Sequence, residues 1–250
     1  MSESNPFLKV TDVYKSFSHV QALRGVDFCA YQGEILAIVG DNGAGKSTLI
    51  KILSGVLDPD RGKIEIAGSV YMKLTPKSAL DAGISTVYQD LALADSRDVA
   101  ANIFLGRELM KGPFLDKRAM YRQSEALISD LHINIPNVRV EVSILSGGQR
   151  QGTAVARAIH QGGKMFIFDE PTAAMGLNET AAVLKLIKKL AADGFGVILI
   201  SHNMQQVFQI SDRICVMRQG KVVEMLETAA TNIEYAVSLI TGAVNISAVQ

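Results

Sequence analysis

Residues Glu34–Leu53 read EILAIVGDNGAGKSTLIKIL. The run Ile35–Val39 is short, continuous and apolar, which is typical of a strand buried on both faces of a sheet. The pattern G-x-x-x-x-G-K-[ST] follows directly, as Gly40-Asp41-Asn42-Gly43-Ala44-Gly45-Lys46-Ser47-Thr48. A buried strand, a glycine-rich loop and a helix in this order predict a phosphate-binding loop in an α/β protein.

The residue types in this loop indicate how it would bind phosphate. Glycine adopts positive φ without strain, so successive backbone N–H groups can turn inward around phosphate oxygens. The helix that follows adds the positive end of its dipole. Lys46 is predicted to reach the β- and γ-phosphates, and the Ser47 hydroxyl to ligate Mg²⁺. The alternative is a chance glycine turn, which the flanking strand and helix disfavour.

Two adjacent carboxylates, Asp169 and Glu170, follow the apolar run Met165–Phe168. Ligands of parallel sheets bind at the carboxyl ends of the strands, and the phosphate loop lies at that same edge. We expect Asp169 to hold Mg²⁺ through water and Glu170 to polarise the water that attacks the γ-phosphate. The alternative is a helix N-cap with an acidic first turn, which Pro171 would allow.

Two further polar side chains follow predicted strands. His202 comes just after Gly196–Ile200, and Gln89 comes just after Ile84–Tyr88. The Gln89 amide could contact Mg²⁺ or water at the carboxyl edge of the sheet. A lone histidine is more often structural, however, and a polar loop residue more often faces solvent. The residues alone leave both roles open.

The composition excludes several classes of protein. The chain has 250 residues with 25 Lys+Arg and 25 Asp+Glu, and this zero formal charge argues against a protein that grips nucleic-acid phosphates. With 48% hydrophobic and 20% charged residues, general disorder is excluded. Apolar runs stay below the ~18 residues of a membrane helix, and the first residues lack a signal-peptide layout. Cys29 and Cys215 form no disulfide framework or metal spacing, so we expect a cytosolic chain.

Strand patterns are expected at both ends of the chain, with a helical region between them. The predicted strands are Phe7–Val13, Ala22–Cys29, Glu34–Val39, Lys63–Ala67, Ile84–Tyr88, Met165–Phe168, Gly196–Ile200, Ile214–Arg218 and Lys221–Met225.

From about residue 90 to 162, helical periodicity replaces strand-like runs. We therefore predict a helical subdomain at about 90–162 and a nucleotide-binding core formed by 1–89 and 163–250. Asp116 is expected to cap a helix of this region, and Asn178 a later one. The apolar stripes of these two helices are predicted to be Met120, Leu127, Ile128 and Leu131 in the first, and Val183, Leu186, Ile187 and Leu190 in the second.

A second glycine turn before a helix completes an ordered set of motifs along the chain. It reads Leu145-Ser146-Gly147-Gly148-Gln149, and its spacing does not say whose phosphate it would meet. The ordered set of phosphate loop, Gln89, LSGGQ, Asp169-Glu170 and Ser201-His202 resembles the ATP-binding-cassette (ABC) ATPases over essentially the whole chain. The resemblance implies one ATPase domain of the P-loop type. It would have a mostly parallel core sheet, an antiparallel β subdomain and a helical subdomain.

The resemblance also implies roles for single residues. Phe17 looks like the aromatic residue that stacks on the adenine of ATP. Gln89 looks like the glutamine that, with Ser47 and Asp169, serves the Mg²⁺ site, and His202 like the histidine at the γ-phosphate. The resemblance further implies that the ATP held by a second subunit, in a head-to-tail dimer closed on two ATP molecules, is bound by Ser146, Gly147, Gly148 and Gln149.

A finer similarity is to the ATPase subunits of bacterial sugar importers of the ribose, fructose and xylose class. The segments that carry it are Val39–Gly45, Asn102–Glu108, Ile200–Met204 and Ile240–Ala243. It implies monosaccharide import, with membrane permease subunits as partners, a periplasmic or extracellular sugar-binding protein acting indirectly, and no nucleic acid. The chain would then lie on the cytoplasmic side of the cell membrane, peripheral through the permease.

Two departures from the cassette pattern qualify these roles. Ala174-Met175-Gly176-Leu177 stands where most cassettes carry an aspartate, so we expect altered contacts across the dimer rather than loss of activity. Ser18-His19 follows Phe17 where glycine is common, which weakens the case for adenine stacking.

Coupling to the permease would pass through the helical region, with Gln89 as the hinge. A nearby apolar cluster is expected either to pack in the core or to form a groove for a permease helix; it comprises Val99, Ile103, Phe104 and Leu105. The alternative function is a non-transport ABC ATPase acting in DNA maintenance or in translation. The first of these needs long heptad-repeat insertions and basic surfaces, and the second carries two cassettes with a charged linker.

Overall fold

A computed structural model describes residues 5–173 and 175–243 of the chain. In chain order its elements are β1 (Leu8–Phe17), β2 (Val20–Ala30), β3 (Ile35–Val39), α1 (Lys46–Leu53), β4 (Arg61–Ile66), β5 (Ser69–Tyr71), α2 (Pro76–Asp81), β6 (Ile84–Val87), α3 (Val99–Ile103), β7 (Met110–Lys111), β8 (Phe114–Leu115), α4 (Lys117–Asp130), α5 (Gly147–His160), β9 (Met165–Asp169), α6 (Leu177–Ala192), β10 (Gly196–Ile200), α7 (Met204–Ile210), β11 (Arg213–Arg218), β12 (Lys221–Glu227) and α8 (Ile233–Thr241).

The six-stranded sheet has the order β12-β11-β3-β10-β9-β6. Its strands pair in parallel except for β12, which pairs antiparallel with β11. All five residues of β3 are buried, as the apolar run predicts. Leu36 and Ile38 pack on the side of α1, whereas Ala37 and Val39 pack on the side of α7 and α8. Both faces of β3 are thus covered by other elements. The chain leaves the sheet at the carboxyl end of this strand, after Val39.

An antiparallel sheet of order β2-β1-β4-β5 shares its core with α1 and one face of the six-stranded sheet. The strand β1 runs to Phe17, four residues beyond the predicted end at Val13, because it keeps pairing with β2 through several register shifts. Phe17 therefore ends a strand at a hairpin turn, opposite Val20.

Three helices, α3, α4 and α5, lie between residues 90 and 162. Asp116 caps α4 as predicted, since its Oδ1 accepts a hydrogen bond of 3.0 Å from the N–H of Ala119. Met120, Ile128 and Leu131 are buried on the predicted face. The expectation that strands vanish here is wrong in one place, because β7 and β8 form a short hairpin.

The apolar cluster of this region is core rather than groove. Val99, Ile103 and Phe104 are at most 1% exposed, so their interpretation as a groove for a permease helix is wrong. Leu105 is 47% exposed and lies outside this core. The Phe104 ring packs against the His160 ring of α5 with centroids 4.1 Å apart, which joins α3 to α5.

The prediction that Asn178 caps α6 is also wrong. The helix begins at Leu177 and its N-cap is Gly176, which has no side chain to cap it. The Glu179 carboxylate takes over this task, because its Oε2 accepts a hydrogen bond of 3.4 Å from the N–H of Gly176. Asn178 is exposed within the first turn.

No helix within residues 5–173 and 175–243 combines the length and the apolar character that crossing a membrane requires.

Candidate functional site

The phosphate loop connects β3 to α1. The Lys46 ammonium lies inside the loop and donates hydrogen bonds to the carbonyl oxygens of Gly40 at 2.6 Å and Asp41 at 3.0 Å. Gly45 caps α1 with φ 105° and provides no side-chain acceptor, so the helix's first N–H groups keep their capacity for a ligand. The strand, the loop and the helix thus follow one another in the predicted order.

Glycine is required at two of these positions by close packing. A Cβ on Gly45 would lie 2.6 Å from the carbonyl oxygen of Ala22 in β2. A Cβ on Gly40 would collide with the backbone carbonyl of Met217 in β11. The loop therefore lies against both sheets, and β2 brings the hairpin that bears Phe17 to its flank.

The structure brings Glu170 and His202 together at the carboxyl edge of the sheet. Asp169, the last residue of β9, is in register with Ile200, the last residue of β10. Glu170 then adopts φ 50° and donates its N–H to the carbonyl oxygen of Ile200 at 3.0 Å. Its Oε2 lies 2.9 Å from Nδ1 of His202, whose side chain is 77% exposed. Positive φ at a glutamate is an uncommon conformation, and it occurs here at the residue whose carboxylate contacts the histidine.

Burial and charge perturb the ionisation of two groups here. Burial raises the pKa of Asp169, the neighbouring Glu170 carboxylate raises it further, and Lys46 partly offsets both effects. Burial lowers the pKa of Lys46, while Glu170, Asp41 and Asp169 oppose that change. Lys46, Asp169 and Glu170 therefore lie close enough for their charges to interact, although Lys46 follows β3 and the two carboxylates lie at the end of β9.

The donor set at this edge fits Mg²⁺. Ser47 offers a hydroxyl, Asp169 a carboxylate and Gln89 an amide oxygen, and Mg²⁺ prefers such hard oxygen ligands. Across the described ranges, no three His, Cys, Asp or Glu side chains gather as a metal cage. Mg²⁺ is usually held by one or two protein groups together with the phosphates of a substrate.

Gln89 and Phe17 lie at or beyond the ends of two other strands, β6 and β1. Gln89 is exposed, two residues beyond β6, and β6 is the edge strand next to β9. Phe17 is 47% exposed at the β1–β2 turn, with the Lys15 ammonium 5.8 Å from its ring centroid. Ser18 adopts φ 50° at this turn, so a non-glycine residue is accommodated there.

The segment Ser146–Gln149 forms the start of α5. The Ser146 hydroxyl accepts from the N–H of Gln149 at 3.4 Å, and the Gln149 side chain accepts from the N–H of Ser146 at 3.0 Å. This reciprocal capping box stabilises the helix start. The Gln149 amide also donates to the Asn134 carbonyl at 2.6 Å.

Sequence reasoning missed Glu179. Its Oε1 accepts a hydrogen bond of 3.1 Å from the N–H of Gly147. A Cβ on Gly148 would lie 3.7–3.8 Å from the Glu179 backbone, which is an ordinary van der Waals separation, so α5 starts directly beside the first turn of α6. The spacing Gly176–Glu179 carried the one available signal, an acid three residues after an N-cap. Ala174, named with the departure before α6, lies outside the described residues.

Comparison with known proteins agrees with this geometry. A family model described as "ABC transporter" matches residues 23–173. The xylose/arabinose import ATP-binding protein XylG of Sulfolobus acidocaldarius is 44% identical over 94% of this chain and 93% of its own length. The fructose import ATP-binding protein FrcA of Rhizobium meliloti is 44% identical over 95% of both chains. The crystal structure of the ADP conformation of MJ1267, an ATP-binding cassette of an ABC transporter, superposes with a TM-score of 0.79 at 22% identity, over 95% of this chain and 96% of that one.

Proposed function

This chain belongs to the ABC transporter family, and we propose that it is the ATP-hydrolysing subunit of an importer for a monosaccharide. One observation carries the proposal: the phosphate loop, the Asp169-Glu170 pair and His202 meet at one sheet edge in a chain that is 44% identical, nearly end to end, to two sugar-import ATP-binding proteins. Fold similarity alone would support only nucleotide chemistry.

Each side chain at the sheet edge has a separate role in hydrolysis. Lys46 and the loop N–H groups hold the β- and γ-phosphates, and Ser47, Asp169 and Gln89 hold Mg²⁺, which neutralises phosphate charge when bound. Glu170 accepts the proton of the attacking water, a contribution worth about 10²–10⁴-fold in rate. His202 donates a hydrogen bond to the γ-phosphate once it releases the Glu170 carboxylate, and Phe17 stacks on the adenine.

The second half of each ATP site comes from another copy of the chain. The hydrogen bonds given above for Ser146–Gln149 reach Asn134 and Glu179 or stay within the segment, and none of them involves the phosphate loop of the same chain. In the closed head-to-tail dimer, this segment binds the ATP held by the partner copy. Gly176, in place of the usual aspartate, changes the cross-dimer contacts at α6.

Import requires partners that the chain itself does not supply. We place the chain at the cytoplasmic face of the membrane, bound to permease subunits. A periplasmic or extracellular sugar-binding protein delivers the substrate and acts on this chain only through the permease. The zero formal charge of this chain is compatible with ATP binding, because Lys46 and backbone N–H groups supply the local positive potential.

The alternative, a non-transport ATPase of DNA maintenance or translation, gains no support from the described structure. Within residues 90–162 the longest helices, α4 and α5, have fourteen residues each, which is far from a long heptad-repeat arm.

Affinity purification of the tagged chain from detergent-solubilised membranes tests the proposal. We expect a permease to co-purify. Uptake of a labelled monosaccharide panel should require ATP hydrolysis and fail when the Lys46→Ala variant replaces the parent. Recovery of the chain with nucleic acid or ribosomes, and without a permease, would contradict it.

A further inference from the structure

The hairpin formed by β7 and β8 has no role in the ATP site described above. Its base is fixed, because Leu109 packs against the core of the helical region. The Leu109 carbonyl oxygen also accepts a hydrogen bond of 2.7 Å from the N–H of Asp116, the N-cap of α4. Gly112, with φ 62°, and Pro113 form the two-residue turn. The hairpin is therefore a structured element that is held at its base.

The tip of this hairpin, residues 110–115, exposes large apolar side chains to solvent. Phe114 is 75% exposed, Met110 57% and Leu115 49%. Within the described part of the chain, these three side chains pack on none of the apolar cores. Two short strands are at best marginally stable by themselves, and neighbouring exposed apolar side chains mark a surface that a partner covers. The tip is therefore a candidate interaction surface.

The apolar side chains lie on both faces of the hairpin. Met110 is paired with Leu115, and Lys111 is paired with Phe114. Paired residues of antiparallel strands share a face, and successive residues point to opposite faces. One face therefore carries Met110 and Leu115, and the other carries Phe114. A folded protein surface would cover one face and leave the other in water, whereas a lipid interface surrounds a tip that inserts into it.

The charge around the tip is positive, although the whole chain has zero formal charge. Residues 107–122 contain two acidic residues, Glu108 and Asp116, and five basic ones, Arg107, Lys111, Lys117, Arg118 and Arg122. Both carboxylates accept hydrogen bonds of 3.0 Å from nearby backbone N–H groups. Among the ion pairs of residues 5–173 and 175–243, none involves Lys111, Lys117 or Arg118. Basic groups beside exposed apolar ones match an anionic surface with an apolar layer beneath it.

We propose that the tip of the β7–β8 hairpin inserts into the anionic headgroup region of the cytoplasmic leaflet. Phe114 and Met110 leave water there, and Lys111, Lys117 and Arg118 lie at lipid phosphates. The proposal rests on the proposed function only for the location of the chain at this face of the membrane. Because one tip buries little apolar area, the contact supplements the attachment to the permease and does not replace it.

Flotation of the purified chain with lipid vesicles tests the contact in the absence of any permease. We expect the chain to bind vesicles of equal parts phosphatidylcholine and phosphatidylglycerol, and to bind phosphatidylcholine alone at least about fivefold more weakly. Raising the salt from about 0.1 M to about 1 M should release most of the chain, because the screening length falls from about 10 Å to about 3 Å. No binding to the anionic vesicles, or equal binding to both kinds, would overturn the proposal.

The substitution Phe114→Ser tests the apolar part of the contact. We expect about tenfold weaker binding to the anionic vesicles, because the phenylalanine side chain no longer leaves water. The matched control is Val70→Ser, an exposed valine of β5, which should bind like the parent. Both variants should hydrolyse ATP at the parental rate, since neither side chain lies at the sheet edge. Parental vesicle binding by Phe114→Ser would overturn the proposal.

The substitution Lys111→Gln tests the electrostatic part. We expect about fivefold weaker binding to the anionic vesicles and a smaller dependence on salt, because one cation near the lipid surface is lost. Lys63→Gln, an exposed lysine of β4, is the control and should change neither quantity. Unchanged affinity and salt dependence in Lys111→Gln would overturn the assignment of this surface to an anionic leaflet.

A cytoplasmic loop of the permease is the alternative occupant of the tip. In detergent, which removes the bilayer, Phe114→Ser should co-purify the permease as well as the parent does. Loss of the permease from Phe114→Ser in detergent would overturn the proposal, because the tip would then contact protein. Failure of the proposed function looks different: no permease would co-purify with the parent chain either, while binding to vesicles would remain.

Discussion

At the scale of single residues, the site combines groups that would be unfavourable apart. A half-buried carboxylate and a half-buried ammonium lie near a glutamate in a left-handed backbone conformation. Such an arrangement costs stability in the free chain and favours a ligand that brings both phosphate and a divalent cation. Single substitutions in this site are therefore expected to affect the stability of the free chain and the binding of the ligand differently.

The substitution Lys46→Ala is expected to lower ATP affinity by about 100-fold or more, since charge-assisted hydrogen bonds to phosphate are lost. Isothermal titration with ATP measures this. The matched control is Lys188→Ala, an exposed lysine of α6, which should bind ATP like the parent. Unchanged affinity in Lys46→Ala would contradict the phosphate-loop assignment.

The substitution Asp169→Asn is expected to stabilise the nucleotide-free chain at neutral pH, raising Tm by about 1–3 °C. The folded-state pKa of Asp169 is raised, so the carboxyl favours the folded state most when protonated, and that stability is lost as the pH rises through the folded pKa. The difference from the parent should therefore shrink as the pH falls. Thermal melts at several pH values check this.

A control distinguishes this effect from generic charge removal. Asp58→Asn removes only an exposed ion pair with Lys73, and solvent screens the attraction in such a pair. Its Tm should follow the parent closely and should not rise. A lower Tm in Asp169→Asn at neutral pH would mean that the attraction of Lys46 outweighs the desolvation of the carboxylate.

Most candidate site residues could be predicted from the sequence, but the contacts that they make could not. Lys46, Asp169 and Glu170 could be predicted because motif spacing and strand order place them at one sheet edge. Glu179 could not be assigned to Gly147, because that contact depends on how closely α5 approaches α6. The left-handed conformation of Ala92, with φ 48°, could not be predicted either, because alanine rarely adopts it and because one of its hydrogen bonds comes from Arg157, 65 residues away in sequence.

At the scale of elements, the sequence pattern predicted those strands and helix ends that depend only on neighbouring residues. The buried strands β3, β9 and β10 followed from continuous apolar runs, and Asp116 capped α4 as its position suggested. The start of α6 did not follow, because its N-cap is Gly176, which offers no side-chain oxygen, and the Glu179 carboxylate accepts the hydrogen bond from Gly176 instead. The β7–β8 hairpin was missed because strands of two residues leave no period to detect.

The junction between α1 and α2 gives an element-scale prediction. Gly55 has φ 72°, and a Cβ there would lie 2.5 Å from the carbonyl oxygen of Thr75, the N-cap of α2. We expect Gly55→Ala to lower the free energy of unfolding by about 2–4 kcal/mol through combined strain and collision. Urea unfolding followed by circular dichroism measures it.

Gly68 offers the matched control for this prediction. It has φ 82°, but nothing lies within 4 Å of the position of its Cβ. Gly68→Ala should therefore cost only the left-handed backbone, about 1–2 kcal/mol. Equal losses in the two variants would show that strain alone, and not the collision with Thr75, determines the cost at Gly55.

At the scale of the whole molecule, each chain is proposed to carry two halves of an ATP site, which lie on different elements. The phosphate loop and the carboxylates stand at the sheet edge, while Ser146–Gln149 start α5 and contact Glu179. The Glu179 carboxylate lies at the N–H of Gly147, a group proposed to bind the partner's ATP. Under the proposed function, closure of two copies on ATP would rearrange this contact, and hydrolysis would restore it.

The most direct test of the account is the rate of phosphate release from ATP by the Glu170→Gln variant. Glutamine keeps the shape of Glu170 but cannot accept the proton of the attacking water. We expect the rate to fall by at least about 100-fold against the parent, with ATP affinity retained. The exposed Glu125→Gln variant of α4 is the control and should hydrolyse ATP at the parental rate. Release of phosphate by Glu170→Gln at the parental rate would contradict the assignment of Glu170 as the base, and with it the mechanism proposed for this sheet edge.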